Sequence, residues 1–166
     1  MKKILIISDT HGYLDKKLFK YMEEADEVWH AGDIGNVEIC DEISKVKALK
    51  AVWGNIDDHQ LRVSCTEDLI FYCEEVKVCI THIGGYPGKY SMHAKALILK
   101  EKPNLFICGH SHILKVMFDK KNDLLYINPG AAGVHGFHQV KTAVRMEIEK
   151  KEMKNLEVIE LGPRTL

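Results

Sequence analysis

KKILIIS, residues 2–8, sets four apolar residues in a row, Ile4 to Ile7, and is followed at once by Asp9 and His11. A half-exposed strand would alternate apolar and polar residues. A continuous apolar run of strand length is the pattern of a strand buried on both faces, as in a parallel sheet covered by helices. The run is also too short for the core of a secretory leader, which takes roughly 7–15 residues. No segment approaches the ~20 apolar residues of a membrane span. The cytoplasm is therefore the expected compartment.

The same grammar continues outward. Leu14, Leu18, Tyr21 and Met22 follow helical spacing, DEVWHA (26–31) reads as a second strand, Val37, Cys40, Ile43 and Val46 as a second helix, and KALKAVW (47–53) as a third strand. A βαβαβ order implies a largely parallel sheet with right-handed crossovers. The middle changes character. LRVSC (61–65), DLIFYC (68–73) and VKVCIT (76–81) read as close-spaced antiparallel strands. Tyr90, Ala94, Leu97 and Ile98 mark a helix that stops before Pro103. NLFICG, ILKVMFD, LLYIN, TAVRMEIE and NLEVIEL then read as strands, with KKND turning the second into the third and the charged C-terminal stretch forming a last hairpin. Parallel strands followed by meanders predict an α/β fold of two packed mixed β-sheets flanked by helices. With no linker, repeat or low-complexity segment, residues 1–166 read as one domain.

Bulk composition narrows the function. The 23 basic and 24 acidic residues nearly cancel, which argues against an extended nucleic acid or an anionic membrane as partner. Five cysteines, an odd number with no CxxC pair, read as free thiols in a reducing compartment.

The chemistry-bearing residues share one feature: each follows a strand. Asp9 and His11 follow KKILIIS, Asp33 follows EVWHAG, Asn55 follows KAVWG, His82 follows VKVCIT, and His110 and His112 follow NLFICG. In an open α/β sheet the carboxyl ends of parallel strands share a rim where ligand sites form. Gly32, Gly54 and Gly109 each precede a ligand-bearing residue, as sharp turns and close backbone approach require. Two aspartates, an asparagine and four histidines, without a cysteine, suit Mn, Fe, Co, Ni or Zn better than calcium or a structural zinc site. Seven ligands exceed one tetrahedral ion but suit two, if a carboxylate bridges them. Such a pair, ~3.5–4 Å apart, is a clamp for phosphoryl chemistry.

The motifs SDTHG, GDIG, GNID, THIGG and GHSH occur in the order of the five motifs of the calcineurin-like metallophosphoesterases. Spacing and size resemble the small YfcE-type phosphodiesterase branch, over residues 4 to about 130. The resemblance implies an αββα sandwich. It implies two divalent ions, manganese first, with Ni, Co, Fe, Zn or Mg as alternatives. Asp9, His11 and His112 would hold one ion, Asn55, His82 and His110 the other, and Asp33 would bridge, with Asp33, Asn55 and His82 as catalytic residues. The implied reaction is hydrolysis of a small phosphate ester, a diester before a monoester, by in-line attack of a metal-bridging hydroxide. Members often form homo-oligomers. One position departs from larger relatives: their GNH histidine, often assigned to the leaving group, is here Ile56. Good leaving groups are then expected to be handled best.

Other residues carry weaker expectations. His30 reads as a packing or supporting contact, and Asp57 as an orienting partner of a ligand histidine. His59 sits near the position of the lost GNH histidine, as a solvated residue or a substrate contact. His93 reads as surface. Gly84, Gly85 and Gly88 punctuate a turn, or form a flap that brings Tyr86 or Lys89 to substrate. His135 and His138 sit in a glycine-shaped loop, which in the alternative overhangs the site and sets His135 on phosphate. Two other functions compete with the diesterase. One is a binding module, as in a eukaryotic retromer subunit of this fold that has lost part of its ligand set. The other is a nuclease for short nucleotides.

Overall fold

The computed structural model describes residues 1–165. Two five-stranded mixed sheets face each other. In the first, β1 (Lys2–Ile7), β2 (Glu27–His30) and β3 (Ala48–Ala51) run parallel, and the long β11 (Val140–Glu149) and β12 (Glu152–Pro163) add antiparallel beside β1. In the second, β5 (Val76–Thr81), β8 (Leu105–Ile107) and β10 (Leu124–Asn128) are parallel, flanked by antiparallel β4 (Asp68–Cys73) and β9 (Lys115–Asp119). A small hairpin, β6 (Gly85–Tyr86) and β7 (Lys89–Tyr90), stands apart. The helices are α1 (Leu18–Glu24), α2 (Val37–Ser44), α3 (His59–Ser64) and α4 (Met92–Glu101). No helix among the described residues is long and apolar enough to cross a membrane.

The period-2 alternation of side chains explains why the apolar runs are continuous. Ile4, Ile6 and Trp29 point between the sheets and meet Val78, Ile80, Leu105, Ile107 and Ile127. Their neighbours Leu5, Ile7 and Val28 point the other way, against Leu18 and Met22 of α1 and Ile39 and Ile43 of α2. On the far side Cys79, Phe106 and Tyr126 cover Ala94 and Ile98 of α4. The αββα layering expected from the sequence is the one observed. Its parallel strands lie centrally in the second sheet and run out to one edge, β3, in the first, and their carboxyl ends carry the polar loops.

Three local expectations need correction. LRVSC is not a strand but lies in and just after α3. Asp58 caps it by accepting from the Leu61 N–H at 3.0 Å, and Leu61 is its buried residue. Capping chemistry at the start outweighed the β-branched residue within. The first helix begins at Leu18 rather than near Leu14, because the Asp15 carboxylate accepts the Lys17 N–H and turns the chain there. Tyr90 lies on β7, and α4 starts after Ser91, whose hydroxyl accepts from the Ala94 N–H.

One buried ion pair ties the loop after β1 to the last hairpin. Lys141 Nζ lies 2.6 Å from Asp15 Oδ2, with both side chains buried, and the ammonium sits 5.2 Å above the Tyr13 ring. Burial alone would push the Asp15 carboxyl up. The Lys141 hydrogen bond, the Lys17 N–H and the nearby ammonium charges outweigh it and hold Asp15 below its usual range. Removing one partner of a buried pair leaves a buried charge uncompensated, at a cost of about 3 kcal/mol. Lys141→Met is therefore expected to lower the urea-unfolding free energy by that amount at pH 7. A depressed carboxyl contributes stability above its unfolded pKa of ~3.9 and loses it as pH falls through the folded value. The unfolding midpoints of wild type and Lys141→Met should thus converge in acid; a gap that persists at pH 3 would assign the loss to packing instead.

Candidate metal centre

The loops leaving β1, β2, β3, β5 and β8 meet at one end of the two sheets. They are stitched by backbone hydrogen bonds that prolong the ladders: Asp9 N–H to Gly32 O (3.0 Å), His11 N–H to Asp33 O (3.0 Å) and Gly109 N–H to His82 O (2.9 Å). Asp9, His11, Asp33, His110 and His112 all have positive φ, between 45° and 70°. This left-handed region is uncommon for residues other than glycine, though Asp and His tolerate it best. It turns each side chain sharply off its strand end. Close packing of the loops explains two glycines. A methyl at Gly54 would collide with the Asp33 backbone nitrogen and carboxylate, and one at Gly109 with Ser8 and Asp9.

Two groups of three result. Asp9, His11 and His112 offer ligand atoms within 4.8 Å of one another, as do Asp33, His82 and His110. Asp33 Oδ2 stands between the groups, 3.2 Å from His82 Nε2 and 3.5 Å from His11 Nε2. Asp9 Oδ1 is 3.2 Å from His112 Nε2. Asp9 Oδ1, His11 Nε2 and His82 Nε2 are buried atoms with no hydrogen-bond partner among the described residues.

The tautomers sharpen this. His82 Nδ1 lies 2.7 Å from the Ala31 carbonyl, which only accepts, so Nδ1 carries the proton. In the neutral ring, Nε2 then turns a lone pair on the Asp33 carboxylate. His138 Nε2 faces the Gly133 carbonyl at 2.8 Å, so His138 Nδ1 accepts from His112 Nδ1 at 3.3 Å. His112 Nε2 then turns a lone pair on Asp9. Acceptor facing acceptor is unfavourable unless a cation lies between them, and a proton or a metal ion would serve. The electrostatics agree. Burial opposes a charged His82, yet Asp33 and Asp9 outweigh it and hold its pKa above the ordinary value. Asp33, despite its own burial, is held below the carboxylate range, chiefly by His82. His11 and His110 are pushed down by burial.

Supporting contacts differ from expectation in part. Asp57 hydrogen-bonds no histidine among the described residues: its carboxylate accepts the N–H groups of Ile34 (3.1 Å), Gly35 (2.8 Å) and Gly54 (2.8 Å). It clamps the loop of Asp33 to the loop of Asn55 rather than orienting a ligand. His30, fully buried, accepts from Gly32 N–H through Nδ1 and reaches Thr10 Oγ1 through Nε2 at 2.9 Å, joining the first two loops. Burial pushes its pKa down to about 4, so it is neutral at physiological pH. His138, read from sequence only as part of a glycine-shaped loop, supports His112; the signal was a histidine six residues after Ala132 in a loop following a central strand. Arg164 holds that loop by donating to the carbonyls of His138 (2.7 Å) and Val134 (3.3 Å).

The remaining candidates divide. The loop after β10 does overhang the centre: His135 stacks on His11 at 4.7 Å between ring centroids. Asn55 Oδ1 is 3.0 Å from His110 Nδ1. A cavity of about 440 Å³ opens over the centre, walled by these residues with Ile56, Ile113 and Phe137. His59, exposed at the start of α3, and Tyr86, whose ring lies under Lys115 Nζ at 4.7 Å, are not part of that wall, nor is Lys89. GGYPGKY is a short hairpin fastened by Tyr126 Oη donating to Gly85 O.

A family model described as the calcineurin-like phosphoesterase superfamily domain matches residues 1–151. A protein of Methanocaldococcus jannaschii named "probable metallophosphoesterase" is 27% identical over 152 residues, 88% of this chain and 76% of that one. Among solved structures, one described as a novel archaeal phosphodiesterase superposes with a TM-score of 0.74 at 25% identity, over 95% of this chain and 99% of that chain. Vps29 of Chaetomium thermophilum superposes with a TM-score of 0.75 at 16% identity, over 96% and 97% of the two chains. At that identity the likeness is one of fold.

The Asp57 clamp makes a prediction of its own. Each buried N–H left without a partner costs ~1–3 kcal/mol. Asp57→Ala orphans two buried groups and a partly buried one, and is expected to cost about 4 kcal/mol in urea unfolding. Asp57→Asn keeps one acceptor oxygen and should cost clearly less. Equal losses in the two variants would mean that the side chain acts by filling space.

Proposed function

The chain belongs to the calcineurin-like phosphoesterase superfamily, and on that premise we propose that it is a phosphodiesterase that works with two divalent metal ions. The observation that carries the reading is the convergence of two Asp–His–His groups on three buried, partnerless polar atoms. Imidazole nitrogens and carboxylate oxygens suit a borderline ion such as manganese. Asp9, His11 and His112 would hold one ion, and His82, His110 and Asn55 the other. Asp33 would serve both, since its Oδ2 lies between the groups. Asn55 takes the His110 Nδ1 proton on its amide oxygen and has a second lone pair to offer. When bound, the pair supplies charge that neutralises the phosphate oxygens and acidifies water enough to make a nucleophile near neutral pH.

The chain's own residues set what is bound. Among the described residues, neither lysine nor arginine lines the cavity over the centre. Beyond the two ions themselves, no cationic side chain there would offset the extra charge of a monoester dianion, a polyphosphate or a nucleic-acid backbone, whereas a diester carries a single charge. Ile56, Ile113 and Phe137 present apolar surface to the ester's organic arms. The Ala31 carbonyl holds the His82 ring through Nδ1, so this ligand of the second ion would be in place before substrate arrives. We read residues 1–166 as one domain with this activity. Its five free thiols fit a reducing compartment such as the cytoplasm. The exposed apolar residues at the rim, Phe137 above all, favour one alternative, a binding module on the same fold.

Metal-stripped protein refilled with manganese is expected to bind two ions per chain and to hydrolyse bis-p-nitrophenyl phosphate. At metal concentrations ~100 times Kd the folded state gains about 2.7 kcal/mol per ion, hence about 5.4 kcal/mol for two, a rise in melting temperature of roughly 10–20 °C. His112→Ala should retain about one ion and lose activity on the order of 10²-fold or more. Metal-loaded, folded protein that turns over neither this diester nor p-nitrophenyl phosphate would put the binding module in the enzyme's place.

A further inference from the structure

Beside the metal centre lies a second cavity of about 230 Å³, which shares Asn55 with the first and has His82 in its wall. The two cavities therefore adjoin at Asn55. Trp53 and Ile83 give it apolar surface, and Glu67, Ser91 and His93 give it polar groups. The Arg62 guanidinium covers one face of Trp53 at 4.2 Å and donates to the carbonyls of Asn55 and Asp57, so the wall is braced against the centre.

His93 is the group in this wall suited to proton transfer. Its Nε2 lies 2.9 Å from both oxygens of Asp68, at the start of β4. A carboxylate only accepts, so Nε2 carries a proton, and Nδ1 is the nitrogen free to take up and release a second one. A carboxylate placed this way steadies the imidazolium that results. Meanwhile Ile56, which takes the place of a histidine in GNID, has no proton to give.

We propose that this cavity receives the leaving arm of the diester, an uncharged alcohol or phenol of about one ring, and that His93, held by Asp68, protonates its oxygen. The inference rests on the phosphodiesterase reading above. Size supports it, since a cavity of about 150 Å³ accepts benzene. Charge supports it too: Glu67 in the wall and Asp68 behind His93 would repel an anionic arm, and no lysine or arginine among the described residues lines the cavity. In the reaction, a water oxygen bonds to phosphorus and its proton passes to solvent. The bond from phosphorus to the leaving oxygen breaks with its electron pair on that oxygen. The His93 proton joins it, and the imidazole is reprotonated by solvent. Phosphate monoester and free alcohol are the products.

A proton donor matters most where the leaving oxygen is most basic. Manganese-loaded wild type and His93→Gln would be compared on methyl phenyl phosphate and methyl p-nitrophenyl phosphate, which differ only in the leaving arm. His93→Gln is expected to lower kcat/KM for the phenyl ester on the order of 10²-fold, and for the p-nitrophenyl ester at least ~10-fold less severely. Asp68→Asn should shift the ratio in the same direction by a smaller amount. A merely structural role would lower both esters equally, so an equal loss overturns the proposal. So does a wild type that cleaves only the p-nitrophenyl ester. Wild type that cleaves neither ester overturns the phosphodiesterase reading itself, which the two-ion stoichiometry tests separately.

Discussion

Asp9 is fully buried, one of its oxygens has no hydrogen-bond partner among the described residues, and the rest of the molecule is arranged around holding that oxygen in place. A carboxylate taken out of water is expensive unless it is paired. Its other oxygen is provided for, accepting from Ser8 Oγ at 2.6 Å and His110 N–H at 3.1 Å. The first is left facing His112, and beyond it His11 and His82. Such an arrangement is stable only in a framework that cannot relax around it. Two sheets, each covered by helices, with a shared layer of Ile, Val, Leu and Trp between them, provide that rigidity.

The same constraint explains the backbone. Five of the six residues in the two ligand groups have left-handed φ. At ~1–3 kcal/mol for each strained residue, the sum is comparable to the net stability of an ordinary domain. Strain of that size persists only where neighbours over-determine the conformation. The loops are tied to one another rather than merely attached to their strands: Asp57 clamps the second to the third, His30 joins the first to the second, and Asn128 Nδ2 holds Gly109 O at 3.0 Å. His30 can do this because burial keeps it neutral, one nitrogen accepting and the other donating. A charged imidazole would have no acceptor to offer Gly32.

Much of this was legible in advance, for definable reasons. The layers were readable because burial on both faces leaves an unbroken apolar run, as in Ile4 to Ile7, and because each polar motif directly follows such a run. The convergence of Asp9, His11, Asp33, His82, His110 and His112 followed from the rule that parallel strand ends share a rim. What stayed hidden was whatever depends on contacts between loops. Asp57 is a carboxylate near histidines in sequence, but its partners are backbone N–H groups, which have no letter in a sequence. His138 meets His112 across 26 residues, with no periodicity to announce it. LRVSC looked like a strand because Val63 is β-branched, while Asp58 had already fixed the helix start.

The fold alone does not separate a hydrolase from a binding module, since one architecture supports both. The distinction lies in what each residue is positioned to do. A binding surface gains nothing from buried acceptors that face one another, because the mismatch costs stability and contacts no partner. A catalytic centre gains a cation, and with it charge stabilisation where a phosphate ester is attacked. His82 and His112 are each locked by the proton on Nδ1 so that Nε2 is free, one through a backbone carbonyl and one through a second histidine. Two different solutions to one orientational problem, one of them on a residue held in left-handed φ, weigh towards chemistry. Ile56 fits the same account: its backbone N–H holds Asp33 Oδ1 at 3.1 Å, and a side chain with no proton to give is tolerable where another group beside the centre can serve the leaving oxygen.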